Sequence, residues 1–283
     1  MVHKTDVSSE LNDADRVEVV RVDLAQPETL SAAVTGIDAI VHFAGVLFKS
    51  QPEKFLAVTN IRYFENLVDA ATSCGVKKVV LISFPHVEGP TSIEHPARGR
   101  LDADPISIHA KTRLDEERYL FDRVDWPVSL RLGMIYGTGI LMIDAAKWLS
   151  RWRLLGVWKE RTQIHLISKV DFCAAAASAV CNPQANGIYH IGDDGNVSLQ
   201  EFLRIACEEW GTKPPWQMPT WMIYAAAGMC ELFARLFKTK SPLTKDFIDI
   251  GRSPYYGDTS RMKEELLAQL KYPSIAEGRG TLK

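Results

Sequence analysis

The sequence has few of the features that mark metal-binding, disulfide-bonded, nucleic-acid-binding or membrane-spanning proteins. Its 283 residues include five cysteines, none in a C-x-x-C pair, and no His/Cys cluster has metal-ligand spacing. Lysines and arginines are scattered, and the formal net charge of -2 gives no reason to expect a nucleic-acid partner. The longest apolar run, Trp221–Cys230, is too short to span a bilayer.

The cysteines and the N-terminal stretch bear on the compartment. All five cysteines lie in apolar surroundings, which is typical of buried free thiols in a reducing environment: Cys74, Cys173, Cys181, Cys207 and Cys230. The stretch "MVHKTDVSSELNDADR" is polar and contains no apolar signal-peptide core. The sequence therefore predicts a cytoplasmic protein.

The first half of the chain alternates short apolar segments with amphipathic ones. Predicted strands are Val17–Leu24, Asp38–Gly45, Lys77–Ser83 and Pro127–Gly133. Predicted helices follow Pro27, Phe55 and Ile106. This alternation predicts an α/β fold, a Rossmann-like doubly wound parallel sheet whose ligands bind at the carboxyl ends of the strands.

From about Ile140 the pattern changes to mixed apolar and basic residues at helical spacing, without a linker. Ser198 and Glu201 form an S-x-x-E capping box, which predicts a helix start. The second half is expected to form a small lobe that is interwoven with the first half.

Several segments resemble known motifs, in the correct order along nearly the whole chain. "DAIVHFAGV" carries an H-x-A-G pattern, and "SLRLGMIYGTG" is similar to R-P-x-x-V-Y-G-P. The chain resembles the extended short-chain dehydrogenase/reductase family, which includes nucleotide-sugar epimerases, dehydratases and 3β-hydroxysteroid-dehydrogenase-like enzymes. The resemblance implies an NAD or NADP cofactor, a small-molecule substrate, and a homodimer formed through the helices beginning near Phe55 and Ile106.

The resemblance also implies a set of cofactor contacts, which are Asp23, Leu24, Phe43, Ala44, Gly45, Lys111 and Gly133. Asp23 and Leu24 would contact adenine, Ala44 and Gly45 would lie beside the adenine ribose, and Lys111 would bind the nicotinamide ribose. Two alternatives stay open: a capping role for Asp23, and a tight turn without a ligand at Gly45. His3 and Lys4 favour NADP over NAD.

One family element is absent from the sequence, the glycine-rich G-x-x-G-x-x-G loop that normally approaches the pyrophosphate. Residues 1–139 are therefore predicted to be a dinucleotide-binding domain without its first βα unit, and residues 140–283 mainly a substrate lobe. Loss of a central strand would leave unpaired sheet edges and exposed apolar surface.

The catalytic positions depart from the family as well. Phe84 stands where the family has a catalytic serine or threonine, with Ser83 just before it. Ser107 stands where the family has its tyrosine, while Lys111 matches the lysine four residues later. The candidate catalytic residues are therefore Lys111, Ser83 and Ser107, and His109 is expected to be a solvated surface histidine.

Three functions are compatible with this pattern. The first is an atypical NAD(P)-binding protein with reduced or altered redox chemistry. The second is an active reductase or isomerase on a nucleotide sugar or steroid-like ketone, with protons carried by Ser83 or His109, or with the site completed by a missing N-terminal segment. The third is a scaffold that uses the Trp-rich segment 147–158 and the Trp221–Phe237 helix against a partner or a membrane surface, although core packing of these tryptophans is an open alternative.

Overall fold

The structure is a computed structural model that describes residues 17–45, 51–105, 107–237 and 243–283. The strands are β1 (Ala39–His42), β2 (Lys78–Ser83), β3 (Trp126–Leu132), β4 (Met134–Tyr136), β5 (Gly156–Trp158), β6 (Gln163–Ile164), β7 (Leu166–Ser168), β8 (Gly187–Ile191), β9 (Val197–Ser198) and β10 (Trp216–Met218). The α-helices are α1 (Pro27–Val34), α2 (Tyr63–Ser73), α3 (Ile108–Arg123), α4 (Leu141–Arg151), α5 (Lys169–Cys181), α6 (Leu199–Glu209), α7 (Thr220–Phe237), α8 (Lys245–Arg252), α9 (Ser260–Glu265) and α10 (Ile275–Gly278). A π-helical segment, Ala57–Arg62, leads into α2, and short 3₁₀ turns occupy Pro52–Lys54, Pro85–Glu88 and Arg279–Leu282.

The central sheet has four parallel strands in the order β1-β2-β3-β8. Strand β8 comes from the second half of the chain and pairs with β3 from the first half, so the sheet itself joins the two halves. Three two-stranded sheets, β4/β7, β5/β10 and β6/β9, build the C-terminal part. The parallel sheet confirms the predicted Rossmann-like α/β fold, and the boundary at residue 139 stays a prediction.

Helices cover both faces of the sheet because the side chains of each strand alternate between them. Val79 and Leu81 of β2 pack with α2 and α3, through residues such as Phe64 and Leu120. Val80, between them, packs on the opposite face with α5 and β8. A third hydrophobic cluster fills the C-terminal lobe between α4, α6, α7 and β5.

The predicted strand Val17–Leu24 is wrong, because the structure has no strand there. Val17, Val19 and Val20 are 48%, 41% and 46% exposed. Strand β1 is the edge strand of the described sheet, and among the described residues no strand pairs with this segment. β-Branched side chains favour a pleated, half-buried surface, and without a neighbour that preference is not expressed.

Two of the five cysteines correct the expectation of buried thiols. Cys173 and Cys181 on α5 are exposed, whereas Cys207 is buried, and all five are free. The apolar residues around Cys173 and Cys181 in sequence are mostly small alanines of α5, and only one face of that helix packs on the sheet. The apolar residues that surround these two cysteines in sequence therefore did not predict whether their side chains are buried.

Gly133 lies between β3 and β4 and has a packing role that the sequence did not indicate. Its amide donates to the carbonyl oxygen of Ile191 (2.8 Å). A Cβ atom at this position would clash with the backbone carbonyl oxygen of His165 and lie 3.2 Å from that of Ile191. The close approach of two backbone segments explains glycine here without a ligand.

Gly133→Ala is expected to destabilise the fold by about 2 kcal/mol, because backbone atoms around the new methyl group cannot move aside as a flexible side chain can. Urea unfolding monitored by circular dichroism measures this. Gly280→Ala is the matched control, since nothing lies within 4 Å of the position that its new methyl group would occupy. Equal stability of both variants would refute the packing role of Gly133.

Candidate cofactor-binding site

Helix α3 begins at Ser107, and the Ser107 hydroxyl has a capping role. Its oxygen accepts a hydrogen bond from the amide of Ala110 (3.1 Å), and its extended backbone is that of an N-cap residue. An N-cap of this type contributes about 1 kcal/mol to helix stability. Ser107 therefore orders the start of the helix.

Lys111 lies one turn into α3, where its amide donates to the carbonyl oxygen of Ser107 (3.0 Å). Its side chain is 49% exposed, and its nearest carboxylate oxygen, on Asp104, lies 3.8 Å from the ammonium nitrogen. A surface pair of this kind is weak. The ammonium group is accordingly available to a ligand.

The turn after β1 is held to α3 by Arg113. The guanidinium Nη2 donates to the carbonyl oxygen of Ala44 (2.9 Å). A Cβ atom at Gly45 would meet the same Nη2 atom, so a larger residue here would require the Arg113 side chain to shift away from Ala44. Phe43, just before this turn, is 57% exposed and packs edge-on against Phe172 at a centroid distance of 6.1 Å. The structure thus brings Phe43, Ala44 and Gly45 close to the helix that carries Lys111.

Asp23 and Leu24 lie in the turn before α1. One carboxylate oxygen of Asp23 accepts from the amide of Ala25 (2.9 Å), which orders the turn. The carbonyl oxygen of Leu24 accepts from the Asn66 side chain on α2 (2.8 Å), and the Leu24 side chain packs against the core beneath α1. Both residues have local structural roles here, and a contact with adenine stays a prediction.

Ser83, at the end of β2, is buried and its hydroxyl is already engaged. Oγ donates to Oε1 of Glu117 on α3 (2.5 Å). Ser129 on β3 donates to the same oxygen (2.7 Å). Because the proton of Ser83 is directed at Glu117, the structure gives this residue a role in fixing α3 to the sheet.

The centre of this region is an ion network that the sequence analysis missed. Arg131 on β3 is fully buried and lies between two carboxylates: Nη2 is 2.5 Å from Oε2 of Glu117, and Nη1 pairs with Glu88. Nη2 also donates to the carbonyl oxygen of Arg100 (2.8 Å). One signal was available, since a lone arginine inside the apolar segment "PVSLRLG" requires buried acceptors.

The network continues towards β8 through two aromatic residues. Nε2 of His190 lies 3.4 Å from Glu88, and its Nδ1 lies 2.8 Å from the hydroxyl of Tyr255. Burial alone would raise the pKa of Glu88, but the nearby His190 ring and the hydrogen bond from the Gly99 amide, together with the charge of Arg131, lower it to about 2. Glu88 is thus a permanently charged partner at neutral pH.

Glu116, the neighbour of Glu117, is in a different environment. It is fully buried, and although Arg113 Nη1 lies 2.6 Å from Oε2, Oε1 has no hydrogen-bond partner among the described residues. Burial raises the pKa of Glu116 to about 7 despite the charge of Arg113. The arginine that holds the Ala44–Gly45 turn therefore has a carboxyl partner whose charge changes near neutral pH.

The expectation that His109 is a solvated histidine is wrong. His109 is 8% exposed, because α8 covers this side of α3. Its Nδ1 lies 2.7 Å from Oδ2 of Asp246 on α8, although the hydrogen-bond geometry between them is poorly aligned. The sequence could not reveal this pair, since its members lie 137 positions apart (246 − 109) and in different halves of the chain.

The Trp-rich segment divides between core and surface. Trp158 is buried in the C-terminal core, whereas Trp148 and Trp152 are 56% and 66% exposed and lie 6.3 Å apart. Core packing is therefore correct for Trp158 and wrong for the other two.

The described residues include no group of three or more His, Cys, Asp or Glu side chains placed to bind a metal ion. In the part of the chain that the structure covers, no helix is long and apolar enough to cross a membrane.

The described residues fit part of a dinucleotide. Lys111 offers an exposed ammonium group, and the turn at Ala44 and Gly45 lies at the carboxyl end of β1, where ligands of such sheets bind. The pyrophosphate has no glycine-rich cradle in the sequence. His3 and Lys4, the basis for favouring NADP, lie outside the described residues.

The comparisons with known proteins concern the N-terminal part of the chain first. A family model described as NAD(P)H-binding matches residues 1–122. A uronate dehydrogenase of Pseudomonas syringae pv. tomato is 32% identical over 140 residues, 48% of this chain and 50% of that protein. The chain spans about half the length of the curated relatives that it matches first.

Two solved structures share the fold over almost the whole chain. DesIV, a dTDP-glucose 4,6-dehydratase from Streptomyces venezuelae solved with NAD, gives a TM-score of 0.74 at 18% identity, covering 97% of this chain and 81% of that one. RMD from Pseudomonas aeruginosa, complexed with NADPH, gives 0.71 at 15% identity, covering 98% and 92%.

The fold is a Rossmann-like α/β fold, and residues 1–122 match an NAD(P)H-binding family model. These findings support the resemblance of the chain to the extended short-chain dehydrogenase/reductase family.

Glu116→Gln is expected to make stability less sensitive to alkaline pH. The folded-state pKa of about 7 lies above the ordinary value of 4.5, so the folded protein binds the extra proton between them. The favourable contribution of this group is complete below the ordinary pKa and is lost as pH rises through 7. Relative to the original chain, the variant should gain roughly 2 kcal/mol between about pH 5 and about pH 8.

The measurement is urea unfolding of both proteins at several pH values. Glu28→Gln, which changes an exposed carboxyl on α1, is the control and should leave the pH profile unchanged. Asp193, whose pKa burial also raises to about 7, is present in all three proteins and cancels in the comparison. Parallel profiles for Glu116→Gln and the original chain would contradict the prediction.

Proposed function

We propose that this protein binds NAD or NADP through Lys111 and the Ala44–Gly45 turn, but has reduced or altered redox chemistry. The observation that carries the proposal is the contrast within one helical turn: Lys111 is exposed and weakly paired, whereas Ser107 caps the helix. NADP is a weak preference over NAD. When bound, the cofactor would supply a hydride donor or acceptor.

The residues of this chain support binding better than proton transfer. The ammonium group of Lys111 would donate hydrogen bonds to ribose hydroxyls, as the family resemblance implies. An alkanol such as Ser107 is a much weaker acid than a phenol, and efficient proton transfer requires a pKa near the working pH. Ser83 directs its proton at Glu117, and the Phe84 ring has no polar atom to offer a substrate carbonyl.

A second candidate is an active reductase or isomerase that acts on a nucleotide sugar, a uronate or a steroid-like ketone. His109 favours it, since Asp246 lies 2.7 Å from its ring nitrogen and would orient the ring. The similarity to a uronate dehydrogenase supports a sugar acid as the first substrate class to test.

Lys111→Ala is expected to weaken binding of NADH and NADPH about tenfold, because a charge-assisted hydrogen bond to the ribose is lost. Titration of the full chain, followed by nicotinamide fluorescence, measures both cofactors. Arg123→Ala, an exposed cation at the other end of α3, is the matched control and should bind as the original chain does. No binding of either cofactor by the original chain would refute the proposal.

Turnover separates the two candidates. The original chain is expected to show no change in nicotinamide absorbance above background with uronates, nucleotide sugars or ketosteroids. The reason is that the hydroxyl groups of Ser107 and Ser83 are too weakly acidic for efficient proton transfer at the working pH. If turnover is found, and is lost in His109→Gln while cofactor binding is kept, then the second candidate is correct and the first is wrong.

A further inference from the structure

Helix α7 carries an apolar face that no described residue covers. Met229, Leu232, Phe233, Leu236 and Phe237 recur at helical spacing along one side of α7 and are 57–69% exposed. We call these five residues the α7 stripe. The rings of Phe233 and Phe237 lie 4.3 Å apart, so the aromatic part of the stripe is continuous.

The exposure of the α7 stripe does not come from a detached helix. Ile223, Ala227 and Ala234 on the opposite side of α7 are buried, and the first two belong to the C-terminal core. Tyr224 also donates a hydrogen bond to Asp249 on α8. Helix α7 is therefore docked on one side, and its outer side is an apolar surface of the kind that marks an interaction site.

The charges around the α7 stripe are asymmetric. Glu231, the only carboxylate of α7, accepts from the amide of Lys245 (3.0 Å) and is thereby engaged with the start of α8. Arg235 is exposed, and no ion pair holds it within the described part of the chain. In the sequence, Lys238 and Lys240 come soon after Phe237. The basic residues Arg235, Lys238 and Lys240 thus follow one another in the sequence at the end of the stripe, and Glu231, the only carboxylate of α7, is already engaged with α8.

We propose that the α7 stripe binds the surface of a membrane that contains anionic lipids, with α7 lying in the plane of the interface. Exposed Met, Leu and Phe side chains would enter the boundary between headgroups and acyl chains, and the basic end would attract lipid phosphates and carboxylates. Trp221, 69% exposed at the start of α7, is of the type enriched at headgroup level. This surface association is separate from the proposed cofactor binding.

A second copy of the chain fits the same surface less well. A second α7 stripe would offer Arg235 no free carboxylate, because Glu231, the only one on α7, accepts from the amide of Lys245. A buried guanidinium group without a carboxylate partner is strongly unfavourable. A lipid headgroup layer instead provides anions at the depth where Arg235 would lie.

The test is co-sedimentation of the full chain with vesicles of phosphatidylcholine alone and of phosphatidylcholine with phosphatidylserine. We expect binding to the mixed vesicles that weakens with added salt. The double variant Leu232→Ser/Phe233→Ser should bind at least about tenfold more weakly, because two apolar groups are removed from the lipid contact. Arg235→Glu should selectively reduce the dependence on phosphatidylserine.

Trp126→Ser is the matched control, because Trp126 is an exposed aromatic residue (45%) at the start of β3, away from α7. It should bind vesicles as the original chain does, and circular dichroism checks that every variant is folded. Equal loss in Trp126→Ser, or an original chain that stays in the supernatant, would overturn the proposal. A dimer in solution that dissociates in the double variant, without vesicle binding, would assign the stripe to a second copy instead.

Discussion

The buried guanidinium group of Arg131 is the interaction on which the rest of the structure depends. It lies on the third strand of the central sheet and is paired with Glu117 from α3 and Glu88 from the turn after β2. Removing one partner of such a buried network typically costs about 3–5 kcal/mol, because the remaining charge is left without compensation. The positions of α3 and of the loop containing Arg100 are therefore fixed relative to the strand ends.

This constraint also positions the candidate site. Glu117 holds α3 to the sheet at the level of Ser83 and Ser129, while four residues earlier Arg113 holds the turn at Ala44. Lys111 is on the same helix, on its exposed side, so its location relative to the carboxyl ends of β1 and β2 follows from these two anchors. The geometry of the candidate site thus depends mainly on the buried charged side chains of α3. It depends less on the loop residues in the sequence motifs, such as Ala44 and Gly45.

The sequence predicted the local elements better than the long-range contacts. Hydrophobic periodicity was sufficient for β2, β3 and α3, and the predicted helix start at Ser198 was confirmed, since its hydroxyl accepts from the amide of Glu201. It failed for Val17–Leu24, where strand formation depends on a neighbouring strand. It also missed the pair of His109 and Asp246, since periodicity carries no information about which distant element covers a helix.

The two adjacent glutamates of α3 show why a shifted pKa alone does not identify a catalytic group. Glu117 is satisfied by an arginine and two serines, whereas Glu116 has one arginine and an unpartnered oxygen, and burial raises its pKa to about 7. A pKa in that range is what general acid–base catalysis requires. Yet Glu116 is fully buried and its only charged partner among the described residues is Arg113, which itself holds the turn after β1. Protonation of Glu116 would accordingly act on the turn at Ala44, in the candidate cofactor site, through Arg113, and not on a substrate directly.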